Sequence, residues 1–138
     1  MDLKLSKITD SVNSEIFYSP EHALVIIRLK DIDVIDEEQY KKDSVAFLEF
    51  VKSAGVRRLL FDTSKLRAVF SVELQKWVAE NINRELLRLL EKVAVIPPKD
   101  VVSQISLQQY IEESNRYGVR GKEFTFDDEE KALKWLLK

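Results

Sequence analysis

The polar break Asp62-Thr63-Ser64, with Ser71 a little further on, places groups able to hold an anion or accept a phosphate close together. The run Leu59-Leu60-Phe61 before it reads as a buried strand, and Ser71 opens a helix. In a parallel sheet, the carboxyl end of a strand facing a helix N-terminus is where ligands and switches settle. Two uses of these side chains follow. They can satisfy loop backbone as an Asx or Ser/Thr turn. Together with Ser71 they can instead cradle an anion or take a phosphate, which adds about −1.5 to −2 charge beside a favourable helix dipole. Lys65, Arg67, Arg57 and Arg58 give the segment a basic character that suits an anionic partner. Trp77 lies one turn into the following helix and reads as a near-core anchor, or, if exposed, as an interaction hot spot. The candidate partner, anion or phosphorylation surface is therefore Asp62, Thr63, Ser64, Ser71 and Trp77.

Other reactive residues point away from catalysis. His22 is the only histidine and falls in a turn, where no base–nucleophile pair can be built around it. The acidic clusters Asp36-Glu37-Glu38 and Asp127-Asp128-Glu129-Glu130 sit at predicted helix starts, where carboxylates cap free N–H groups and meet the macrodipole. Cysteine is absent, which excludes disulfides, thiolate metal sites and a cysteine nucleophile. The common nucleotide, protease and hydrolase spacings are absent too. We expect no catalytic residue, no metal and no cofactor.

The elements that position these residues follow from periodicity. Leu3–Ile8 alternates weakly, as an edge strand would, within an N-terminal segment 1–13. Glu15–Ser19 and Ala23–Leu29 flank a short turn with Pro20 and read as an antiparallel hairpin. Asp36 caps a helix over Glu37–Ala54, and Gly55 supplies its left-handed end. Val56–Thr63 is the central strand. Ser71 caps the next helix, with a stripe of Leu74, Trp77, Val78 and Ile82. Glu80-Asn81 and Asn83 mark a break, after which helix resumes through Leu86–Leu90. Lys92–Ile96 is a strand buried on both faces, closed by Pro97-Pro98. A third helix starts at Asp100 or Ser103 and runs to about Tyr117, ended by Gly118. Glu123–Phe126 is a last strand, and Asp127 caps a terminal helix, Asp128–Leu137.

Alternating strands and helices imply parallel pairing with right-handed crossovers. The expected fold is α/β: about five strands, mostly parallel, with an antiparallel N-terminal edge strand and about four helices. All helices would then lie on one face. The open face would need loops, the N-terminal segment or a second subunit, which is the ground for expecting a homodimer.

Composition agrees with one domain of this kind. The 138 residues are 45% hydrophobic and 33% charged, and 22 basic against 24 acidic residues leave a net charge of −2. That balance disfavours non-specific nucleic-acid binding. No apolar run reaches the ~18 residues that would span a bilayer, and the first residues lack a signal-peptide core. A cytoplasmic, soluble domain is expected.

The element order and several motifs resemble the STAS-like proteins of bacteria, the sporulation anti-anti-sigma-factor-like group, in the branch described jointly as STAS and CRAL-TRIO-like. The similar stretches are IFYSPEHALVIIRL, LLFDTSKL, SVELQKWV, KVAVIPPKDVV and FTFDDEEKALKWLL, spanning roughly residues 14–138. The resemblance implies a (βα) superhelical sheet and a non-enzymatic, partner-switching role. In the best-known members a serine within Asp-Ser-Ser/Thr-Gly-Leu is phosphorylated at the start of the second helix. The matching stretch here is Phe70-Ser71-Val72-Glu73-Leu74. Phe70 replaces the leading acid, Val72 occupies the phosphoacceptor position and Glu73 replaces the glycine. Only Ser71 and Leu74 remain, a vestige or variant of the switch. The resemblance implies a protein-interaction or regulatory module with an unidentified protein partner near Asp62–Trp77. Its alternative is a carrier of a small apolar ligand or lipid, related to CRAL-TRIO domains, which would need a cavity of roughly 300 Å³ or more.

Overall fold

The computed structural model describes residues 3–115 and 121–138. Six strands form one sheet in sequence order: β1 (Ser6–Asp10), β2 (Ser14–Ser19), β3 (Leu24–Leu29), β4 (Arg58–Asp62), β5 (Lys92–Ile96) and β6 (Lys122–Glu123). β1, β2 and β3 pair antiparallel, and β3 through β6 pair parallel. The helices are α1 (Glu37–Ala54), α2 (Val72–Val78), α3 (Arg84–Leu89), α4 (Val101–Ser114) and α5 (Glu129–Leu136), with a π-helical turn at Ala79–Asn83 joining α2 to α3. This is the expected mixed α/β sheet, mostly parallel with antiparallel N-terminal strands, and β1 makes it one strand wider. The expected end of the third helix at Tyr117 and Gly118 lies outside the described residues.

Local chemistry sets the boundaries. A short 3₁₀ turn, Pro20–His22, closes the β2–β3 hairpin, and Ala23 takes the left-handed conformation at φ 50°. The Asp36 side chain accepts from the Gln39 amide at 3.1 Å, which caps α1. Asn13 is buried and clamps that cap to the sheet: its Nδ2 donates to the Asp36 carbonyl (2.8 Å), and its Oδ1 accepts from the Asp36 amide (2.9 Å). Gly55, at φ 69°, ends α1 and returns its N–H to the Val51 carbonyl. Asp100 caps α4 by accepting from both the amide and the hydroxyl of Ser103.

Period-two alternation sorts the strand residues into two cores. Val25, Leu59, Val93 and Val95 face α1, α2, the π-turn, α3 and α4. Leu24, Ile26, Leu60, Ala94 and Ile96 face the other way, against Ala132, Leu133 and Leu136 of α5. The expectation that every helix shares one face is thus corrected. A helix that joins two parallel strands is held to the crossover side, whereas α5 follows the last strand and joins nothing. Its apolar stripe is free to cover the second face. The open-face argument for a second subunit loses its ground.

The last strand is shorter than the expected Glu123–Phe126. Only Lys122 and Glu123 pair with β5. The Phe124 amide still donates to the Val95 carbonyl at 2.9 Å, and its ring enters the second core, 5.9 Å from that of Trp135. The terminal helix begins one residue later than expected, after Asp128, because Asp127 accepts from the Thr125 hydroxyl in the preceding turn.

The π-turn has a cause in the sequence. Leu74, Val78, Ile82, Leu86 and Leu90 are all buried in one core at intervals of four residues. A regular α-helix overshoots a full turn by about 40° at each such step and would carry Leu90 about 160° away from Leu74. A wider turn absorbs that drift. The break expected at Glu80-Asn81 and Asn83 is this under-wound segment, and the helix continues through it.

Candidate functional site

The strand-end residues are placed close together, and the fold uses most of them. Thr63 is fully buried; its backbone N–H and its hydroxyl both donate to the Ile96 carbonyl, at 2.9 and 2.6 Å, stitching the end of β4 to β5. Asp62 Oδ1 accepts from the Ser64 amide at 3.0 Å, the Asx turn that its position allows. Its Oδ2 accepts from Arg28 at 2.6 Å, and the same guanidinium nitrogen pairs with Glu129 at the start of α5. Burial opposes the Arg28 charge, but the hydrogen bonds and charges of Glu129 and Asp62 outweigh it and hold the pKa above its usual value. Asp62 therefore anchors α5 to the sheet. Ser64 is half-buried.

Ser71 caps α2, accepting from the Leu74 amide at 3.1 Å, and donates its own proton to Glu37 of α1 at 2.7 Å. An anion at Ser71 would meet the Glu37 carboxylate, an unfavourable pairing of like charges. Trp77 is half-buried against the core, with the Lys41 ammonium 5.4 Å from its ring centroid, so it braces α2 on α1. Asp62, Thr63 and Ser64 do meet at the strand end. Ser71 and Trp77 instead face α1.

What the edge does present is apolar. Val69 is 51% exposed, Val72 56%, Val101 66%, Val102 63% and Ile105 59%. The connection that carries Val69 is held to α4 by the Phe70 amide, which donates to Ser106 Oγ at 2.8 Å. Arg67 lies near enough to Asp100 for its charge to help lower that carboxyl's pKa, an effect due first to the hydrogen bonds from Ser103. The connection that carries Val69 thus runs beside the first turns of α4, and Val72 opens α2 three residues later. Residue-by-residue reading missed this adjacency, although Val101-Val102 and Ile105 at i, i+1 and i+4 share a helix face that the core does not use.

A second feature lies inside the larger core. A cavity of about 100 Å³ opens between the sheet and the π-turn, with Ile27, Leu59, Phe61, Val93 and Val95 on its sheet side. Among the described residues its polar side chains are Tyr40, Tyr110, Asn83, Ser114, Ser44 and Asn115. The Tyr40 and Tyr110 hydroxyls are 3.2 Å apart, and Asn83 Nδ2 donates to Ser114 Oγ at 2.7 Å. Burial, then the neighbouring Tyr110 and Asp43, push the Tyr40 hydroxyl well above its ordinary pKa. Burial raises Tyr110 as well, partly offset by hydrogen bonds from Tyr40 and Asn83. Both are neutral hydroxyls at physiological pH. Asn83 was legible only as a helix break. A volume of about 100 Å³ is about a third of the ~300 Å³ at which drug-sized ligand pockets begin.

Among the described residues no group of three or more His, Asp or Glu is arranged to hold a metal ion, and no helix is long and apolar enough to cross a membrane. Comparison with protein-family models, with curated proteins and with solved structures finds no match to the chain.

Proposed function

We propose that the protein is a non-enzymatic interaction or regulatory module of STAS-like type, working in the cytoplasm, whose partner surface is the edge built from the Lys65–Val72 connection and the first turns of α4. One observation carries this reading: five branched apolar side chains, Val69, Val72, Val101, Val102 and Ile105, are each more than half exposed, on two segments that the Phe70–Ser106 hydrogen bond holds together. Scattered exposed valines are ordinary, but an apolar cluster rimmed by charge marks a contact surface. Lys65, Arg67 and Glu73, all exposed, supply such a rim. The edge overlaps the stretch Asp62–Trp77 that the resemblance singles out. Recognition there rests on apolar contact with a protein partner. Ser71, which caps α2 and donates to Glu37, contributes to the fold beside that edge.

A photo-crosslinking residue placed at Val72 in the native host tests the reading, with the same residue at the exposed Lys131 of α5 as control. A discrete crosslinked protein is expected from position 72 and not from 131. The double substitution Val102→Glu with Ile105→Lys, both at exposed helix positions, is expected to leave the melting temperature unchanged. The same change weakens association with the crosslinked partner by at least about tenfold. Equal crosslinking from both positions, or unchanged affinity in the double variant, would overturn the assignment.

A further inference from the structure

Among the described residues the second core draws on one helix alone. Leu24, Ile26, Leu60, Ala94 and Ile96 lie on strands, and Ala132, Leu133 and Leu136 all belong to α5. The other helices pack in the first core. Removal of α5 therefore leaves the first core whole and breaks no pairing between strands. Openings of this kind lie below global unfolding in free energy. At eight residues α5 is too short to be stable alone, so it leaves the sheet and melts in one step.

Polar ties hold both ends of α5. Among the described residues no side chain caps its N-terminus. Its first turn is held by Glu129, which pairs with Arg28, and its last by Lys92, whose ammonium donates to the Trp135 carbonyl at 2.9 Å. The first tie is built to be released. Arg28 stands on β3 and also pairs with Asp62 on β4, so both stay on the sheet when α5 goes. The Asp62 side chain is 12% exposed and that of Glu129 39%. Opening thus hands Glu129 to water and leaves the more buried carboxylate with its cation, which avoids the penalty of a buried unpaired charge. The Asx turn of Asp62 and the hydrogen bonds of Thr63 do not involve α5, so the partner edge is independent of this opening.

We propose that α5 is a detachable cover over the second face of the sheet, and that Arg28 is the latch that holds it through Glu129. Release bares Leu24, Ile26, Leu60, Ala94 and Ile96 while the rest of the fold stays in place.

The chain has no cysteine, so an introduced thiol is an unambiguous reporter. Ala94→Cys places one beneath α5, and Val51→Cys places one in the first core. Without denaturant, a soluble thiol reagent should label position 94 at least about tenfold faster than position 51. Leu60→Cys, in register with Ala94 on the neighbouring strand, reads the same face if the larger side chain at 94 disturbs packing. Adding Glu129→Gln should speed labelling at 94 about five- to tenfold, through loss of the charge pair and of its interaction with the helix dipole. Glu130→Gln loses the dipole interaction too, but its partner is Lys134 within α5, and its effect should be at least about threefold smaller. Equal labelling of the second-face and first-core thiols would mean that α5 leaves only when the whole chain unfolds. Equal acceleration by the two glutamine variants would mean that Arg28 is no latch. Either result overturns the proposal.

Discussion

Tyr40 and Tyr110 carry a consequence that shows only at high pH. Both hydroxyls are buried and their pKa values are raised, Tyr40 the more strongly. In the unfolded chain they would lose their protons near pH 10. The folded state holds its protons to higher pH, so their contribution is complete below about pH 10 and is lost as the pH rises above it. Each tyrosine then adds a slope of up to ~1.4 kcal/mol per pH unit to the fall in stability. Tyr40→Phe should cost roughly 1 kcal/mol at neutral pH, the worth of its hydrogen bond to Tyr110. The same variant should flatten the alkaline limb. Urea titrations of both proteins between pH 8 and pH 11 check this, and parallel limbs would refute it. At this scale the sequence was legible where partners are near in the chain. The Asx turn of Asp62 and the caps at Asp36, Ser71 and Asp100 all close within three residues. The second role of Asp62 was not legible, because Arg28 lies 34 positions from it and Glu129 bonds that Arg28 across 101 positions.

The π-turn between α2 and α3 behaves as one extra residue accommodated in a helix, and this gives it a testable property. Deleting the exposed Glu80 should let the segment close into regular α-helix while Leu86 and Leu90 keep facing the core. The expected outcome is a folded protein with unchanged helical circular dichroism and a melting temperature within a few degrees of the parent. A deletion at the exposed Glu49, inside the unbroken α1, should be far worse, because it turns Phe50, Val51 and Ala54 by about 100° relative to Phe47 and Leu48. If both deletions unfold the chain alike, the turn is not an accommodated insertion. The four-residue spacing of Leu74, Val78, Ile82, Leu86 and Leu90 was present in the sequence and is the signal for this turn. The polar residues Glu80, Asn81 and Asn83 drew attention to the position but not to its geometry, since polarity marks a break and a π-turn alike. Strand ends were harder to read. Glu123–Phe126 alternates like a strand, yet pairing with β5 stops once the Phe124 amide has donated to the Val95 carbonyl, and the Phe124 ring packs on Trp135.

At the scale of the whole molecule, alternation of strands and helices gave the parallel pairing, while the sequential order β1 to β6 is one of several that alternation allows. The covering of the second face did not follow, because a terminal helix has no later strand to fix its side. The difference decides what holds the sheet together. Leu136 and Ala132 are fully buried against Leu24, Ile26, Leu60, Ala94 and Ile96, and Arg28 fastens the start of α5 to Asp62. Leu136→Ala should therefore cost about 2–5 kcal/mol, as for other buried leucines, while Val101→Ala, at a position 66% exposed, should cost under about 0.5 kcal/mol. A sheet whose second face is closed by its own chain needs no second copy there. The intact protein should sediment as a 16.1 kDa monomer at micromolar concentration, and the Leu136 variant should gain a tendency to associate as α5 loosens. Equilibrium unfolding and sedimentation velocity on the three proteins read both effects. A dimer of the intact chain that protects the β3 and β4 amides from exchange only when assembled would mean that the second face is shared between subunits, and α5 would then be a lid on an interface and not the wall of a core.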